Sequence, residues 1–295
     1  MINGQPAKST SMQFPNKATT KQQQYINELI NSITTTSVNR HQALHHLSSE
    51  ISKTPNLPSL LWNSPGTINS ILGELISAYH NLSSGNISEE QKNIILDILK
   101  LFLYFSKDKE TKIPFIHARI PTYLLPYLYT MDDRCEFEEM KLSSIGIFAN
   151  LVLENEKEIY EYLIQIEFIP ICLRILKFGS DILKILSAFI LDRIINNDHG
   201  IREICSDFDK ASAVIETLNF IVERLMNDYE NKLAKYIINS YNMIIQREEV
   251  KPIIIQKKIS SLETIDFSNV KERISQEFID LVHKLQELWK KPNIL

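Results

Sequence analysis

Apolar side chains recur along this chain at steps of three and four residues rather than at alternate positions. Two stripes open the pattern: Tyr25, Ile26, Leu29, Ile30 and Ile33, then Ala43, Leu44, Leu47 and Ile51. Such steps place side chains on one face of an α-helix, whereas alternation would indicate a β-strand. The polar residues 34–40 between the stripes predict a loop. Because the same spacing continues towards the C-terminus, the pattern predicts an all-α protein.

A longer helix is predicted to begin near Ser88. The Ser88 hydroxyl can accept a hydrogen bond from a free amide of the first turn, and Gln91 completes a possible capping box. The body of this helix, residues 94–105, is apolar on nearly all sides. Such a helix has to be packed between neighbours. This segment therefore favours a multilayered helical stack over a simple bundle.

A recurring motif gives the best indication of how the chain is organised. Ile120-Pro121 and Ile169-Pro170 are each followed by apolar residues, and their prolines lie 49 positions apart; Leu57-Pro58 is a looser copy. Proline is tolerated in the first helical turn, so each copy predicts a helix start. Gly179-Ser180 then predicts a helix end, and residues 182–195 predict a long buried helix. This order is typical of the armadillo repeat, whose period is about 40–47 residues.

The C-terminal part continues the helical pattern. Residues 214–226 and 233–245 predict helices, and a polar, Lys-rich stretch follows at 256–264. The apolar seam of the last helix consists of Val270, Ile274, Phe278, Leu281, Leu285 and Leu288. Terminal repeats have to seal a solenoid, so we interpret this helix as a cap.

The predicted boundaries leave one domain between two short tails. No linker rich in Gly, Pro or Ser divides residues 22–290. The polar segment 1–21 is predicted to be a disordered tail, and 291–295 a second tail. The N-terminal segment has no hydrophobic stretch typical of a signal peptide. No apolar run reaches the roughly 20 residues that a membrane helix needs.

Composition narrows the function classes. The 295 residues include only 7 glycines, which disfavours folds rich in tight turns and phosphate-binding loops. With 32 basic and 36 acidic residues the formal net charge is −4, whereas a dedicated nucleic-acid binder usually has a basic excess. The cysteines Cys135, Cys172 and Cys205 are far apart, and we interpret them as reduced core thiols of a cytosolic or nuclear protein.

Motifs of catalysis are absent from the sequence. It contains no GxGxxG, GxxxxGK[ST], GxSxG or HExxH. His41 and His45 share a helix face beside His46 and could bind a transition metal, but no third ligand is evident, so solvated histidines are the favoured interpretation. We therefore expect no enzyme activity, cofactor or metal.

Basic residues gather in the second half of the repeats and allow an alternative function. The residues considered for single-stranded nucleic acid are Arg174, Lys177, Lys184 and Arg202. If they share a concave face, the groove could attract phosphates or an acidic peptide. Interspersed aspartates weaken this hypothesis.

Four long strings resemble one family. They are LPSLLWNSPGTINSILGELISAY (57–79), IPTYLLPYL (120–128), FEEMKLSSIGIFANLV (137–152) and EFIPICLRILKFGSDILKILSAFILDRIINNDHGIREIC (167–205). The chain from about Gln22 to its final helix resembles the Rcd-type cell-differentiation protein family, the CAF-forty subunit of the CCR–NOT deadenylase complex. The resemblance implies an armadillo crescent of about six repeats. It also implies a cytoplasmic adaptor that docks on the large NOT scaffold subunit and captures short peptides of RNA-associated repressors for mRNA decay and translational repression.

The resemblance assigns three sets of contact residues. Scaffold docking falls on Trp62, Asn63, Pro65 and Asn69. The peptide groove falls on Glu139, Gly146 and Leu186. Tryptophan-accepting pockets fall on Ile182, Phe208, Lys210, Ala213 and Glu249. The family often has a histidine, an aromatic and a small residue at the three docking positions after Trp62, so that contact would be rebuilt here.

Two departures from the family pattern affect binding. The groove position Glu139 is aromatic in the family. In the pockets, Ile182 and Phe208 keep apolar walls, but Lys210 lacks the stacking plane of arginine, and Ala213 and Glu249 replace basic or ring-bearing residues. We therefore expect tryptophan binding to be weakened or lost while groove binding survives.

Several of these residues also have a purely structural interpretation. Trp62, Phe189 and Leu191 are expected in the core, where truncation costs about 3–5 kcal/mol. Gly146 is consistent with close helix packing, and Leu186 with burial inside its repeat. A generic armadillo cargo receptor would need a regular ladder of Asn and Trp residues, which the sequence lacks. Self-association as a homodimer stays open.

Overall fold

The computed structural model describes residues 17–35, 37–130, 135–263, 265, 267 and 273–290. Within these ranges the chain is helical and contains no β-strand, which confirms the all-α prediction. None of the described helices is both long enough and apolar enough to cross a membrane. The greater part of the predicted N-terminal tail, and all of the predicted tail 291–295, lie outside the described residues.

The helices of the first half form three repeats. Repeat 1 consists of α1 (Lys17–Ile33) and α2 (Ser37–Glu50). Repeat 2 consists of α3 (Leu57–Asn63), α4 (Thr67–Ser77), α5 (Tyr79–Ser84) and α6 (Glu89–Phe105). Repeat 3 consists of α7 (Lys112–His117), a 3-10 helix (Ile120–Leu124), α8 (Leu125–Tyr129) and α9 (Cys135–Leu151).

The second half adds three more repeats. Repeat 4 consists of α10 (Lys157–Gln165), α11 (Phe168–Phe178) and α12 (Asp181–Ile195). Repeat 5 consists of α13 (Asp198–Cys205), α14 (Phe208–Asn227) and α15 (Asn231–Ile244). Repeat 6 consists of two 3-10 helices (Glu248–Val250 and Ser260–Leu262), α16 (Lys251–Gln256) and α17 (Gln276–Trp289). The described residues thus contain the six repeats that the resemblance implies.

The last helix of each repeat packs on the last helix of the next. This ladder consists of α2, α6, α9, α12, α15 and α17. Side chains that join neighbouring ladder helices are 42 to 52 positions apart, as for Asn242 with Lys284 and His45 with Asp97. This narrow range means that the ladder helices run in the same direction. We call the exposed face of the ladder the groove.

The remaining helices form the outer layers of the stack. α11 packs on α14 and α14 on α16, while α10 packs on α13. The predicted burial of the helix near Ser88 is confirmed, because α6 lies between α2 and α9 and buries residues on several sides. Its predicted capping box is also present: the Ser88 hydroxyl accepts from the Gln91 amide at 3.2 Å, and the Gln91 side chain accepts from the Ser88 amide.

The Ile-Pro motifs mark helix starts, as predicted, but not all in the same way. Pro58 lies in the first turn of α3, and Pro170 is the third residue of α11. The copy at Ile120 begins a 3-10 helix instead, and the α-helix starts only at Leu125, before the second proline of the string. A proline inside an α-helix removes one hydrogen bond, so Pro126 favours a fresh start over a continuous helix.

A left-handed residue precedes each full copy of the motif. Arg119 has φ 55° and Glu167 has φ 52°, and neither is glycine. In this conformation the Cβ of an L-residue crowds the backbone, at a cost of about 1–2 kcal/mol. The stacking of the repeats therefore imposes a strained turn before the second outer helix of repeats 3 and 4.

We expect Glu167→Gly to raise the free energy of unfolding by about 0.5–1 kcal/mol, because glycine adopts positive φ without the Cβ clash. Urea unfolding monitored by circular dichroism would measure the change. Glu161→Gly is a matched control, since Glu161 lies in the ordinary helix α10. There the same substitution should lower stability by about 1 kcal/mol. Destabilisation by both variants would contradict the strained turn.

Two predicted boundaries are wrong. α1 begins at Lys17, inside the segment 1–21 predicted as a disordered tail. α2 begins at Ser37, inside the predicted loop 34–40. In both places polar residues predominate in the first helical turn, so the apolar periodicity becomes evident only after the helix has begun.

The expected core is only partly correct. Leu191 is fully buried, but Trp62 and Phe189 are half-buried and pack against the core from its surface. Trp62 meets Phe105 edge-on, with ring centroids 6.2 Å apart. The rings of Trp62 and Phe189 are therefore partly exposed at the surface. Cys172 is buried and Cys205 half-buried, both are free thiols, and burial raises the pKa of each; the side chain of Cys135 lies outside the described residues.

Candidate binding surfaces

The groove residues assigned by the resemblance lie on two adjacent ladder helices. Gly146 is on α9 and Leu186 on α12, and both are half-exposed. A Cβ added at Gly146 would meet a methyl of Leu103 at 3.4 Å, an ordinary contact. Close packing of the helices therefore does not require glycine at position 146. The main effect of the missing side chain is a deeper groove.

Glu139, the third assigned groove residue, lies near the start of α9. It is exposed, and its carboxylate forms an ion pair with the Lys92 ammonium of α6 at 3.3 Å. Lys92 is the more buried partner, so the carboxylate is the group presented outwards. This position, where the family has an aromatic, therefore presents negative charge to the groove.

An aromatic platform continues the groove from α12 to α15. The rings of Phe189 and Tyr236 have centroids 5.4 Å apart, and the Arg193 guanidinium lies 5.4 Å from the Phe189 centroid. Cation–π contacts of this kind hold both groups in place while leaving part of each exposed. The platform was missed because the sequence indicates which face of a helix is apolar, not which partner helix meets it.

A buried carboxylate lies on the same helix as Phe189. Asp192 is 7% exposed, and the Asn196 side-chain amide donates to its Oδ1 at 2.8 Å. Burial raises the pKa of Asp192 from 3.8 to about 6, against the opposing effects of Arg193, Asn196 and Lys235. Desolvation disfavours the charged carboxylate, so the site tends to keep its proton.

A separate cleft lies between the outer helices α11 and α14. It has a volume of about 660 Å³ and is mainly apolar. Its floor includes Phe168, Pro170 and Leu173, and two of the assigned pocket residues, Lys210 and Ala213, also line it. The Lys210 ammonium is hydrogen-bonded to Glu203, which raises the pKa of Lys210. The Lys210 ammonium is therefore paired with Glu203 of the same chain at the edge of the cleft.

The other assigned pocket residues lie elsewhere. Glu249 borders a small cavity of about 200 Å³ together with Cys205 and Arg247. Ile182, at the start of α12, and Phe208, at the start of α14, are exposed and line neither of these two cavities. The five residues are thus divided between two clefts and two exposed positions.

The assigned docking residues share one turn between α3 and α4. Asn63, Pro65 and Asn69 are exposed, whereas Trp62 is half-buried. The Asn63 side-chain amide donates to the Ser59 carbonyl at 2.9 Å. Gly66 in this turn has φ 77°, a conformation that glycine adopts without strain. The turn therefore presents two amides and a proline ring to the outside.

The four cations considered for nucleic acid do not share one face. Arg174 and Lys177, both on α11, border the outer cleft, and Arg174 also donates to the Tyr129 carbonyl at 2.9 Å. Lys184 on α12 is buried, which lowers its pKa, and Arg202 is exposed on α13. Nucleic-acid binding was considered on the condition that these cations share a face, and the helices that carry them distribute them over separate surfaces.

The two histidines contact carboxylates of neighbouring helices, and His45 is at the same time largely exposed to solvent. His41 Nε2 is 3.2 Å from a Glu74 oxygen, and His45 Nδ1 is 3.1 Å from an Asp97 oxygen. These contacts connect α2 to α4 and α6. In the described part of the chain no group of three or more His, Cys, Asp or Glu residues could hold a metal ion.

Comparison with known proteins places this geometry in one family. The family model described as "Cell differentiation family, Rcd1-like" matches residues 29–290. The chain belongs to this Rcd1-like family. This confirms the resemblance found in the sequence.

Two curated proteins are similar to about two thirds of the chain. The chain is 32% identical over 202 residues to "Cell differentiation protein rcd1" of Schizosaccharomyces pombe, covering 68% of this chain and 71% of that protein. It is also 32% identical over 203 residues to "Protein CAF40" of Saccharomyces cerevisiae, covering 68% of this chain but 54% of that protein.

Solved structures with a similar fold are designed armadillo repeat proteins. One of them, determined "in complex with peptide (KR)4", has a TM-score of 0.60 at 15% identity and covers 90% of this chain and 99% of its own. Another, designed for modular peptide recognition, has a TM-score of 0.62 at 15% identity, with the same coverage of both chains. At this identity the likeness establishes the fold alone, and it confirms the predicted armadillo architecture. Family and fold together support a repeat-protein adaptor.

Proposed function

We propose that this Rcd1-like protein is a non-catalytic adaptor of the CCR–NOT mRNA deadenylation complex in the cytoplasm. It docks on the large NOT scaffold subunit and recruits peptide motifs of RNA-associated repressors for mRNA decay and translational repression. The observation that carries the proposal is the groove, where a ladder of parallel helices presents half-exposed apolar side chains.

The groove has the physical character of a peptide-binding surface. Leu186, Phe189 and Tyr236 present apolar area on α12 and α15, while Gly146 leaves room beside them on α9. An amphipathic helix can lay its apolar face in such a groove. Extended concave surfaces built by stacked repeats are commonly used in this way.

Docking on the scaffold is proposed for the turn between α3 and α4. The exposed residues Asn63, Pro65 and Asn69 lie in repeat 2, whereas the groove platform lies in repeats 4 and 5. Two surfaces in different repeats allow one chain to hold the scaffold and a peptide at the same time. Half-buried Trp62 packs edge-on against buried Phe105 and so connects the turn to the core.

Tryptophan capture by the outer cleft is proposed to be weak. The cleft keeps its apolar floor, but Lys210 is paired with Glu203 and offers no planar cation to an indole ring. Glu249 borders a different cavity. Direct nucleic-acid binding is the less favoured function, because the four cations considered for it are dispersed over three helices.

The test is a pull-down of the tagged protein from its own cell extract, with and without nuclease, followed by mass spectrometry. We expect scaffold and deadenylase subunits to be recovered in both samples. The triple variant Asn63→Ala, Pro65→Ala, Asn69→Ala should lose them, and Leu186→Asp should lose repressors while keeping the scaffold. Phe220→Asp, at an exposed outer position, is the control. Recovery of RNA-binding proteins alone, and only without nuclease, would contradict the adaptor and favour nucleic-acid binding.

A further inference from the structure

Three exposed cations lie on the two helices that carry the aromatic platform of the groove. Arg193 is on α12 beside Phe189, and Lys232 and Lys235 are on α15 in the turns around Tyr236. Among the described residues, none of these three cations forms an ion pair with a carboxylate within 4.0 Å. In a protein whose net charge is −4, this local positive charge is unusual and is available to a partner.

The carboxylate that interacts electrostatically with Arg193 and Lys235 contributes little to the surface. Asp192 is 7% exposed and is hydrogen-bonded to Asn196. Because Asp192 is buried, it cannot form an exposed ion pair with a cation of a ligand. The exposed surface of these helices therefore combines apolar rings with three cations, of which Arg193 and Lys235 also interact electrostatically with buried Asp192.

The positive surface is short and ends at carboxylates on both sides. Towards α9 the groove presents Glu139. Towards α17, Lys235 borders a polar cavity of about 550 Å³ that also contains Glu277 and Asp280. A single-stranded nucleic acid would carry phosphates across these carboxylates and be repelled, whereas a short acidic segment would stay on α12 and α15.

We propose that the groove selects peptides with an acidic segment over α12 and α15. An aromatic or aliphatic side chain of the peptide lies on Phe189 and Tyr236, and flanking carboxylates pair with Arg193, Lys232 and Lys235. Rim charges of this kind set specificity and association rate more than total affinity. The inference rests on the proposed groove function and names the class of peptide that the groove accepts.

The test uses two fluorescein-labelled synthetic helical peptides with the same apolar stripe. One has glutamates beside the stripe, and the other has lysines at the same positions. Fluorescence anisotropy with the full chain should show about tenfold tighter binding of the acidic peptide at low salt. The double variant Lys232→Glu, Lys235→Glu should reverse this preference, whereas Lys290→Glu, at the end of the last helix, should not. Circular dichroism would check that each variant is folded.

The outcomes separate this inference from the proposed function. Equal binding of the two peptides, or binding of neither, would overturn acidic selection. A preference for the acidic peptide that survives the double variant would also overturn it. Tight binding of a single-stranded 15-nucleotide RNA that displaces the acidic peptide would favour nucleic acid instead. If Leu186→Asp loses repressors in the pull-down but the double variant keeps them, groove capture stands and the charge selection fails.

Discussion

Replacing Gly200 by alanine should lower the free energy of unfolding by about 3 kcal/mol, near the upper end for overpacking. A Cβ at this position would lie 2.0 Å from the carbonyl oxygen of Ile194 and 2.7 Å from its Cγ2. The oxygen belongs to the backbone of the last turn of α12, so it cannot move aside as a flexible side chain could. The methyl group therefore forces α13 away from α12.

Gly73→Ala provides the matched control for this prediction. Gly73 lies within α4, is exposed, and has nothing within 4 Å of an added Cβ. Alanine there should raise stability by about 0.5–1 kcal/mol, because it reduces the freedom of the unfolded chain. Urea unfolding at constant m-value would measure both variants. Equal stability of the Gly200 variant and the original protein would show that α12 and α13 are not packed as described.

Removing the buried charge at Asp192 should change how stability depends on pH. The folded protein holds the carboxyl proton up to a pKa of about 6, whereas the ordinary value is 3.8. Between these values the folded state binds more protons than the unfolded state, so stability falls as pH rises. The favourable contribution is complete below pH 3.8 and is lost by about pH 6.

We therefore expect Asp192→Asn to raise the free energy of unfolding by about 2 kcal/mol at pH 7 and to have little effect near pH 4. Asparagine keeps a carbonyl oxygen for the Asn196 amide and cannot ionise. Chemical unfolding from pH 4 to 7 would measure the difference between variant and original protein. Asp209→Asn removes an exposed carboxylate and serves as control. A pH-independent difference for Asp192→Asn would contradict the buried, proton-retaining carboxylate.

The sequence predicted local features whose causes lie within a few residues. The capping box at Ser88 needs only a hydroxyl and a glutamine three positions apart, and the burial of α6 follows from its own apolar surface. The helix starts at Pro58 and Pro170 follow from the missing proline amide. The Ile-Pro motifs predicted the armadillo repeat, and the family resemblance added the number of repeats.

Other features depend on contacts between repeats and were not predictable from the sequence. From the sequence alone, Phe189 and Tyr236 could each be buried in a separate part of the core. Their contact becomes evident only when the register of α12 against α15 is known. The burial of Lys184 depends on the neighbouring helices, since its own helix is apolar on most sides. The sequence does not indicate the left-handed conformations of Arg119 and Glu167, because neither position has the glycine that usually adopts positive φ.

The ladder also determines how the protein responds to force. All the extensive helix contacts of the described chain lie within one repeat or between adjacent repeats. Tension applied to the two ends would therefore be resisted by a series of similar junctions rather than by one central clamp. The chain would lengthen stepwise, one repeat at a time, beginning at the weaker end. A scaffold held at repeat 2 and a peptide held at repeats 4 and 5 would then be connected through an elastic spacer whose length can change before either contact breaks.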